Sequence, residues 1–300
     1  MEEQLKEKNP WEHLTEGKVK IAKRDVPFFE EWAKKNNVKG EIDEIVKAYA
    51  EKINAKTWIN KKTGETKNVE LTFDCLPDPF GGNPDSKVYC LNLNPGKPDD
   101  NFKEVDKFKK ACKKNLRLDS DTCYWAEGTG NDGKEHTGTG WLHDRTREIE
   151  EILNEDCSGE KCQQKYCLPD IFFIEYFPYH STSGFYFPRK KLKPVKNDKD
   201  EIVWQLKKKK NEKYPYPASY DFSDQLIKQA MTDKKMIIIM RAKGDWLERI
   251  EGLADYENLY VLSSPQCGYL TSRNIMNYKT GKRLEDEENY KEIIKKYFKI

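Results

Sequence analysis

A side-chain amide held at the mouth of a pocket can orient a water molecule or read a hydrogen-bonding edge, and Asn94 has the setting for it. It stands in Leu91-Asn92-Leu93-Asn94-Pro95-Gly96, directly after Ser86-Lys87-Val88-Tyr89-Cys90. The stretch reads as a buried strand running into a tight turn. In an open α/β sheet, ligands bind in the crevice beyond the carboxyl ends of the strands. Asn-Pro-Gly is also simply a good turn, since each of its residues favours turns for its own reason. A second segment repeats the pattern. Tyr260-Val261-Leu262-Ser263-Ser264-Pro265-Gln266 is a short apolar run ending in small polar residues and a proline. A third, Phe172-Phe173-Ile174-Glu175-Tyr176-Phe177-Pro178-Tyr179-His180-Ser181, ends in aromatics with a carboxylate and an imidazole. An amide donates and accepts hydrogen bonds but cannot act as a general base at neutral pH, whereas an imidazole can donate a proton or orient a partner.

The Asn94-Pro95-Gly96 and Ser263-Ser264-Pro265 loops, about 170 residues apart in the chain, resemble the paired motifs of the uracil-DNA glycosylase superfamily. There, one strand ends in Asp-Pro or Asn-Pro-Gly and the last ends in a His-Pro-Ser-Pro-like loop. The first loop matches closely. The second matches in part, because no His stands before it. The likeness covers roughly residues 76 to 280. It implies cleavage of a base from its sugar, which needs a positioned water, a stabilised leaving anion and a pocket for the extruded base. By this resemblance Asn94 orients the water, and His180 and Ser264 assist the leaving group. Glu175, Tyr179 and Gln266 line the base pocket. As a carboxylate, Glu175 would favour a donor-rich edge such as that of cytosine or guanine.

Beyond the second loop, glycosylases place a wedge residue that fills the space left by a flipped nucleotide. Tyr269 or Leu270 stands at that place, with Arg273 as a phosphate contact. Ordinary loop packing and a surface charge explain these residues equally well. The implied function is hydrolysis of the N-glycosidic bond of a modified or damaged base. The alternative is a catalytically silent nucleic-acid-binding protein of the same fold. Hydrolysis of an unrelated small molecule in the same crevice stays open as well, since fold does not fix function. The expected partner is nucleic acid, DNA ahead of RNA, with no membrane and no obligate protein partner evident.

Composition narrows the classes. Hydrophobic residues make up 36% and aromatic residues 12% of the 300, enough for a core of ordinary size. Charged residues reach 35%, so the surface is heavily solvated. No apolar run is long enough to span a membrane, and Met1-Glu2-Glu3-Gln4-Leu5-Lys6 lacks the apolar core of a signal peptide. A cytoplasmic protein is expected. The eight cysteines fit reduced structural thiols; the four-residue gaps between Cys157, Cys162 and Cys167 are not a metal-binding spacing. No metal and no cofactor is expected. Net charge is +2, but Arg189 to Lys213 carries eleven Lys/Arg against four Asp/Glu. Within it, Leu192–Lys196 and Glu201–Leu206 flank Asn197-Asp198-Lys199-Asp200 and read as a hairpin. The following basic run, Lys207 and Lys208 first, either leans on a phosphate backbone or serves as a solvated insertion.

The elements that must position these residues follow from periodicity. Residues 1–75 read as a helical extension, with Ile42, Ile45, Val46, Tyr49 and Ile53 on one helical face. Residues 76–300 read as an α/β domain carrying the basic hairpin insertion 189–213. Four short apolar runs, Val88–Leu93, Ile171–Glu175, Met236–Met240 and Leu259–Leu262, suit parallel strands covered on both faces. Helices are expected at Trp141–Leu153, at Ser223–Met231 with Ser223 as cap, at Asp245–Leu253 and at Asn289–Phe298. The glycine-rich Gly128–Gly140 stretch lacks a Walker ending and reads as a loop. The alternation points to a three-layer α/β/α sandwich around a short, mainly parallel central sheet of about four strands. Asn94 and Ser264 are expected on neighbouring strands, reaching one crevice.

Overall fold

The computed structural model describes residues 7–59, 66–96, 106–120, 137–155, 169–182, 192–196, 202–206, 216–266 and 268–299. Among them the chain forms α1 (Val26–Asn36), α2 (Ile42–Asn54), β1 (Thr57–Ile59), β2 (Thr66–Asn68), β3 (Phe80–Gly81) and β4 (Val88–Asn92). Helices α3 (Asp106–Leu116) and α4 (Thr137–Asn154), strands β5 (Ile171–Glu175), β6 (Leu192–Lys196) and β7 (Ile202–Leu206), and α5 (Tyr220–Thr232) come next. The chain continues through β8 (Met236–Ile239), α6 (Lys243–Arg249), β9 (Leu259–Leu262), β10 (Ile275–Asn277) and α7 (Tyr290–Phe298). The architecture is α/β.

The central sheet has six strands in the order β10-β9-β8-β4-β5-β3. β4 runs parallel to β5 and β8, and β8 parallel to β9. The outer strands β3 and β10 pair antiparallel. The sheet is therefore larger than the four parallel strands expected. The missed strands are two and three residues long, too short to show an apolar period, and β3 lies inside a breaker-rich loop. β6 and β7 pair with each other as a separate two-stranded hairpin.

Alternating side chains cover both faces of the sheet. Tyr89, Leu91, Phe172, Ile174, Ile237 and Ile239 enter one core, with residues of α1, α2, α5 and α6. Val88, Cys90, Phe173, Met236 and Ile238 enter the other, with Leu142, Ile149 and Ile152 of α4 and Ile294 and Phe298 of α7. Strands that are apolar on both faces have no solvent side, which is why their sequences read as continuous runs. The amino-terminal residues Trp11, Ile21, Ala22 and Phe29 share the first core with the sheet. Asp25 fastens them. Its buried carboxylate accepts from the Ser219 amide and hydroxyl, both at 2.7 Å, and from the Tyr179 hydroxyl at 2.8 Å. Burial outweighs those three donors and pushes its pKa up to about 6.

Several helix ends differ from expectation. α4 begins at Thr137 and takes in Gly138 and Gly140. α5 begins at Tyr220, so Ser223 is a buried residue inside it and Ser219 stands at its amino end. The Ser219 hydroxyl turns to Asp25 instead of capping the helix. α6 stops at Arg249.

Gly82 admits the β3 edge. Its φ is +101°, and an added Cβ would lie 2.1 Å from the Ile171 carbonyl oxygen. Gly82→Ala is expected to cost about 2 kcal/mol or more, from backbone strain and the forced retreat of β3. Urea denaturation of the two proteins measures it, and equal midpoints would contradict this account of the edge.

The order of the parallel strands fixes where a ligand can sit. From β4 the chain crosses to β5 on one side, whereas from β8 it passes to β9 on the other. The loops leaving β4 and β8 therefore diverge, and such switch points are where doubly wound sheets hold ligands.

Candidate functional site at the carboxyl end of the sheet

The residues just past β4 and β5 are stitched to each other. The Asn94 amide nitrogen donates to the Ser181 carbonyl, and the Ser181 amide donates to the Gly96 carbonyl at 3.1 Å. Gly96 has φ +75°, the left-handed conformation this turn requires. His180 is buried between two carbonyls. Its Nδ1 lies 3.1 Å from Gly96 O and its Nε2 3.1 Å from Leu76 O. Burial pulls the imidazole below its ordinary pKa, while the two carbonyls pull the other way. A neutral imidazole carries one N–H, so His180 donates to one of these carbonyls and only faces the other.

Glu175 is 3% exposed and sits in register with Asn92 across β4 and β5. The Asn92 amide nitrogen donates to Glu175 Oε1 at 2.9 Å. Glu175 Oε2 and Asn92 Oδ1 are buried and make no hydrogen bond. Buried polar atoms are nearly always paired, so two orphans on one residue pair make it a candidate recognition site. Burial raises the Glu175 pKa well above the carboxylate range and the nearby Asp78 adds to it, against the opposing pull of Asn92 and Arg241. A protonated Glu175 offers one donor and one acceptor, where the sequence suggested acceptors alone.

That shift has a stability consequence. The native carboxyl holds its proton at pH values where the unfolded one, with a pKa of about 4.3, has lost it. Stability from this group is then full at low pH and lost as pH rises through the raised native pKa. Glu175→Gln, which keeps the acceptor for Asn92, is expected to be more stable than the parent at pH 7.5 and no more stable at pH 4. Denaturant titrations at both pH values test this, and a difference independent of pH would refute it.

A buried cation is linked to the ends of β4 and β5. Arg249 pairs with Asp224 at 2.5 Å and donates to the carbonyls of Tyr176 and Tyr220 at 3.2 and 2.9 Å. Its guanidinium lies 4.4 to 4.9 Å from the rings of Tyr220, Tyr176 and Trp246. The Trp246 indole in turn donates to the Asn92 carbonyl at 2.9 Å. The ends of β4 and β5 are thereby tied to one fully buried charge.

The remaining sequence-derived residues fall in different places. Tyr179 is 1% exposed, with its hydroxyl donating to Asp25 and accepting from the Ala22 amide, so it lies in the core and not in the crevice. Leu270 is fully buried in the second core. Tyr269 is 42% exposed, the only large hydrophobic side chain so exposed among the described residues, and Arg145 lies over its ring at 5.0 Å. Arg273 is exposed and pairs with Glu285 at 3.2 Å. Ser264 and Gln266 are exposed past β9. β8 stands between β9 and β4, so Asn94 and Ser264 share the carboxyl end of the sheet but not neighbouring strands. Asn274 braces the Ser264 loop, accepting from the Ser264 amide at 2.7 Å and donating to the Tyr269 carbonyl at 2.7 Å. Lys207, Lys208, Cys157, Cys162 and Cys167 lie outside the described residues.

Sequence reasoning passed over Asn92, Asp78 and Arg241. Asn92 was visible as a polar residue inside an apolar run, and Arg241 as the first charge after the Met236–Met240 run. Asp78 gave no signal, because only the fold carries its loop past Glu175.

No protein-family model matches this chain, and neither a curated protein nor a solved structure matches it. Among the described residues no helix is long and apolar enough to cross a membrane.

Proposed function

We propose that this chain is a nucleic-acid base glycosylase-like protein, a divergent relative of the uracil-DNA glycosylases built on their three-layer sandwich. It hydrolyses the N-glycosidic bond of a modified or damaged base, in DNA ahead of RNA. The observation that carries this reading is the fastening of Asn94. With its amide nitrogen held by the Ser181 carbonyl, its oxygen is left to accept a hydrogen bond from a water at the switch point. A water held in that way presents a lone pair to the sugar. Its oxygen bonds to C1′, the C1′–N bond breaks with its electron pair leaving on the base, and the water's proton passes to base or solvent.

Glu175 and Asn92 supply the base reader. With Oε2 protonated, the pair offers a donor beside the Asn92 Oδ1 acceptor, complementary to a base edge that sets an acceptor beside a donor. Uracil and deaminated purines carry such edges. The geometry of His180 favours a second reading, the catalytically silent nucleic-acid binder. Both of its ring nitrogens face backbone carbonyls, so neither is turned toward a leaving base. An excision assay separates the two. Oligonucleotides, single- and double-stranded, carrying uracil, deaminated purines or modified cytosines should release at least one base. Binding without release across the panel would leave the silent binder in its place.

A further inference from the structure

Two arginines from distant parts of the chain converge beside the crevice. Arg241 stands two residues past β8 and Arg145 lies on α4. A Cβ built on Gly268 would lie 3.5 Å from Arg145 Nε and 3.8 Å from a terminal nitrogen of Arg241, so both guanidinium groups reach one small region. Gly268 itself has φ +66° and carries no side chain, so its own backbone can lie close to both. Both arginines are half-buried, where like charges are poorly screened. The Arg241 guanidinium makes no hydrogen bond or ion pair among the described residues. The carboxyl that feels its charge is Glu175, which burial keeps protonated beyond the ordinary range. Arg145 is further oriented by the ring of Tyr269. Two guanidinium groups brought to one region at the end of a sheet make a positively charged site. Their planar donor forks suit the oxygens of a phosphate.

We propose that Arg145 and Arg241, brought together over Gly268, form a phosphate-binding subsite next to the Asn92–Glu175 crevice. The subsite goes beyond the glycosylase reading and stands on the convergence of the two side chains. It holds for a catalyst and for a silent binder alike. A phosphate seated there would belong either to a nucleotide whose base enters the crevice or to free phosphate.

Calorimetric titration of the full chain in phosphate-free buffer tests it, with inorganic phosphate, a nucleoside 5′-monophosphate and the unphosphorylated nucleoside as probes. The monophosphate or inorganic phosphate is expected to bind at least about tenfold more tightly than the nucleoside, as charged hydrogen bonds of this kind imply. Preference for the monophosphate assigns the subsite to a nucleotide, and preference for inorganic phosphate assigns it to the free ion. R241Q and R145Q are each expected to weaken that binding by about tenfold or more. The melting temperature of R241Q without ligand should equal or exceed the parent's, because a like-charge contact has been relieved. R241K, which keeps the charge but not the fork, should fall between. Equal affinity for nucleoside and monophosphate with no response to inorganic phosphate would overturn the proposal. So would folded variants with unchanged affinity, or a drop in ligand-free melting temperature in R241Q, which would mark Arg241 as structural.

Discussion

Replacing Asn94 by alanine is expected to lower base release on the order of 10²-fold, the usual loss when a preorganised polar group is removed from a dry site. Affinity for the same oligonucleotide should be nearly unchanged, because an amide that orients the attacking water acts mainly in the transition state. Single-turnover excision and equilibrium binding, measured on one substrate, separate the two effects. The Asn94 amide also fastens the Ser181 carbonyl, so a purely structural role has its own signature. In that case affinity, melting temperature and rate would fall together. Asn94→Asp sharpens the comparison, since a carboxylate keeps an acceptor for the water but cannot donate to Ser181. An alanine variant that keeps its rate while losing stability would remove Asn94 from the mechanism.

Arg249→Ala is expected to cost about 3–5 kcal/mol of stability, the range for removing one partner of a buried ion pair. Its side chain is fully buried and Asp224 nearly so, at 0% and 15% exposure. Deletion removes that carboxylate's buried cation and the guanidinium donor to the Tyr176 and Tyr220 carbonyls. It also removes the cation enclosed by three aromatic rings. Trp246, which packs on the guanidinium, positions the end of β4 through its bond to the Asn92 carbonyl. Ligand affinity should therefore fall along with stability. Urea denaturation at neutral pH measures the first effect, and a loss under about 1 kcal/mol would show that the aromatic cluster stands without its charge.

The core strands and most helices could be read from the chain. Ile171–Glu175 and Leu259–Leu262 have the bounds expected from their apolar runs, and the hairpin strands 192–196 and 202–206 pair as their alternation and turn residues suggest. These elements are legible because burial on both faces, or a tight turn, constrains every residue locally. The helix starts were less legible. Ser223 carries a cap residue's side chain, but the chain enters α5 three residues earlier, where Ser219 is engaged by Asp25, 194 residues away in sequence.

The sequence by itself determined the α/β class, the four parallel strands and the polar residues that end three of them. Backbone hydrogen bonding and apolar periodicity act over a few residues, so their marks survive in a linear reading. Tertiary structure alone decided which strand ends are neighbours. It set β8 between β4 and β9, gave Asn92 to Glu175 as its partner, turned both ring nitrogens of His180 toward backbone carbonyls, and held Tyr179 in the core by its hydrogen bonds. It also brought Arg145 to Arg241 across α4 and β8. Such pairings are fixed by strand order and by burial summed over the whole core, and no local pattern in the chain encodes them.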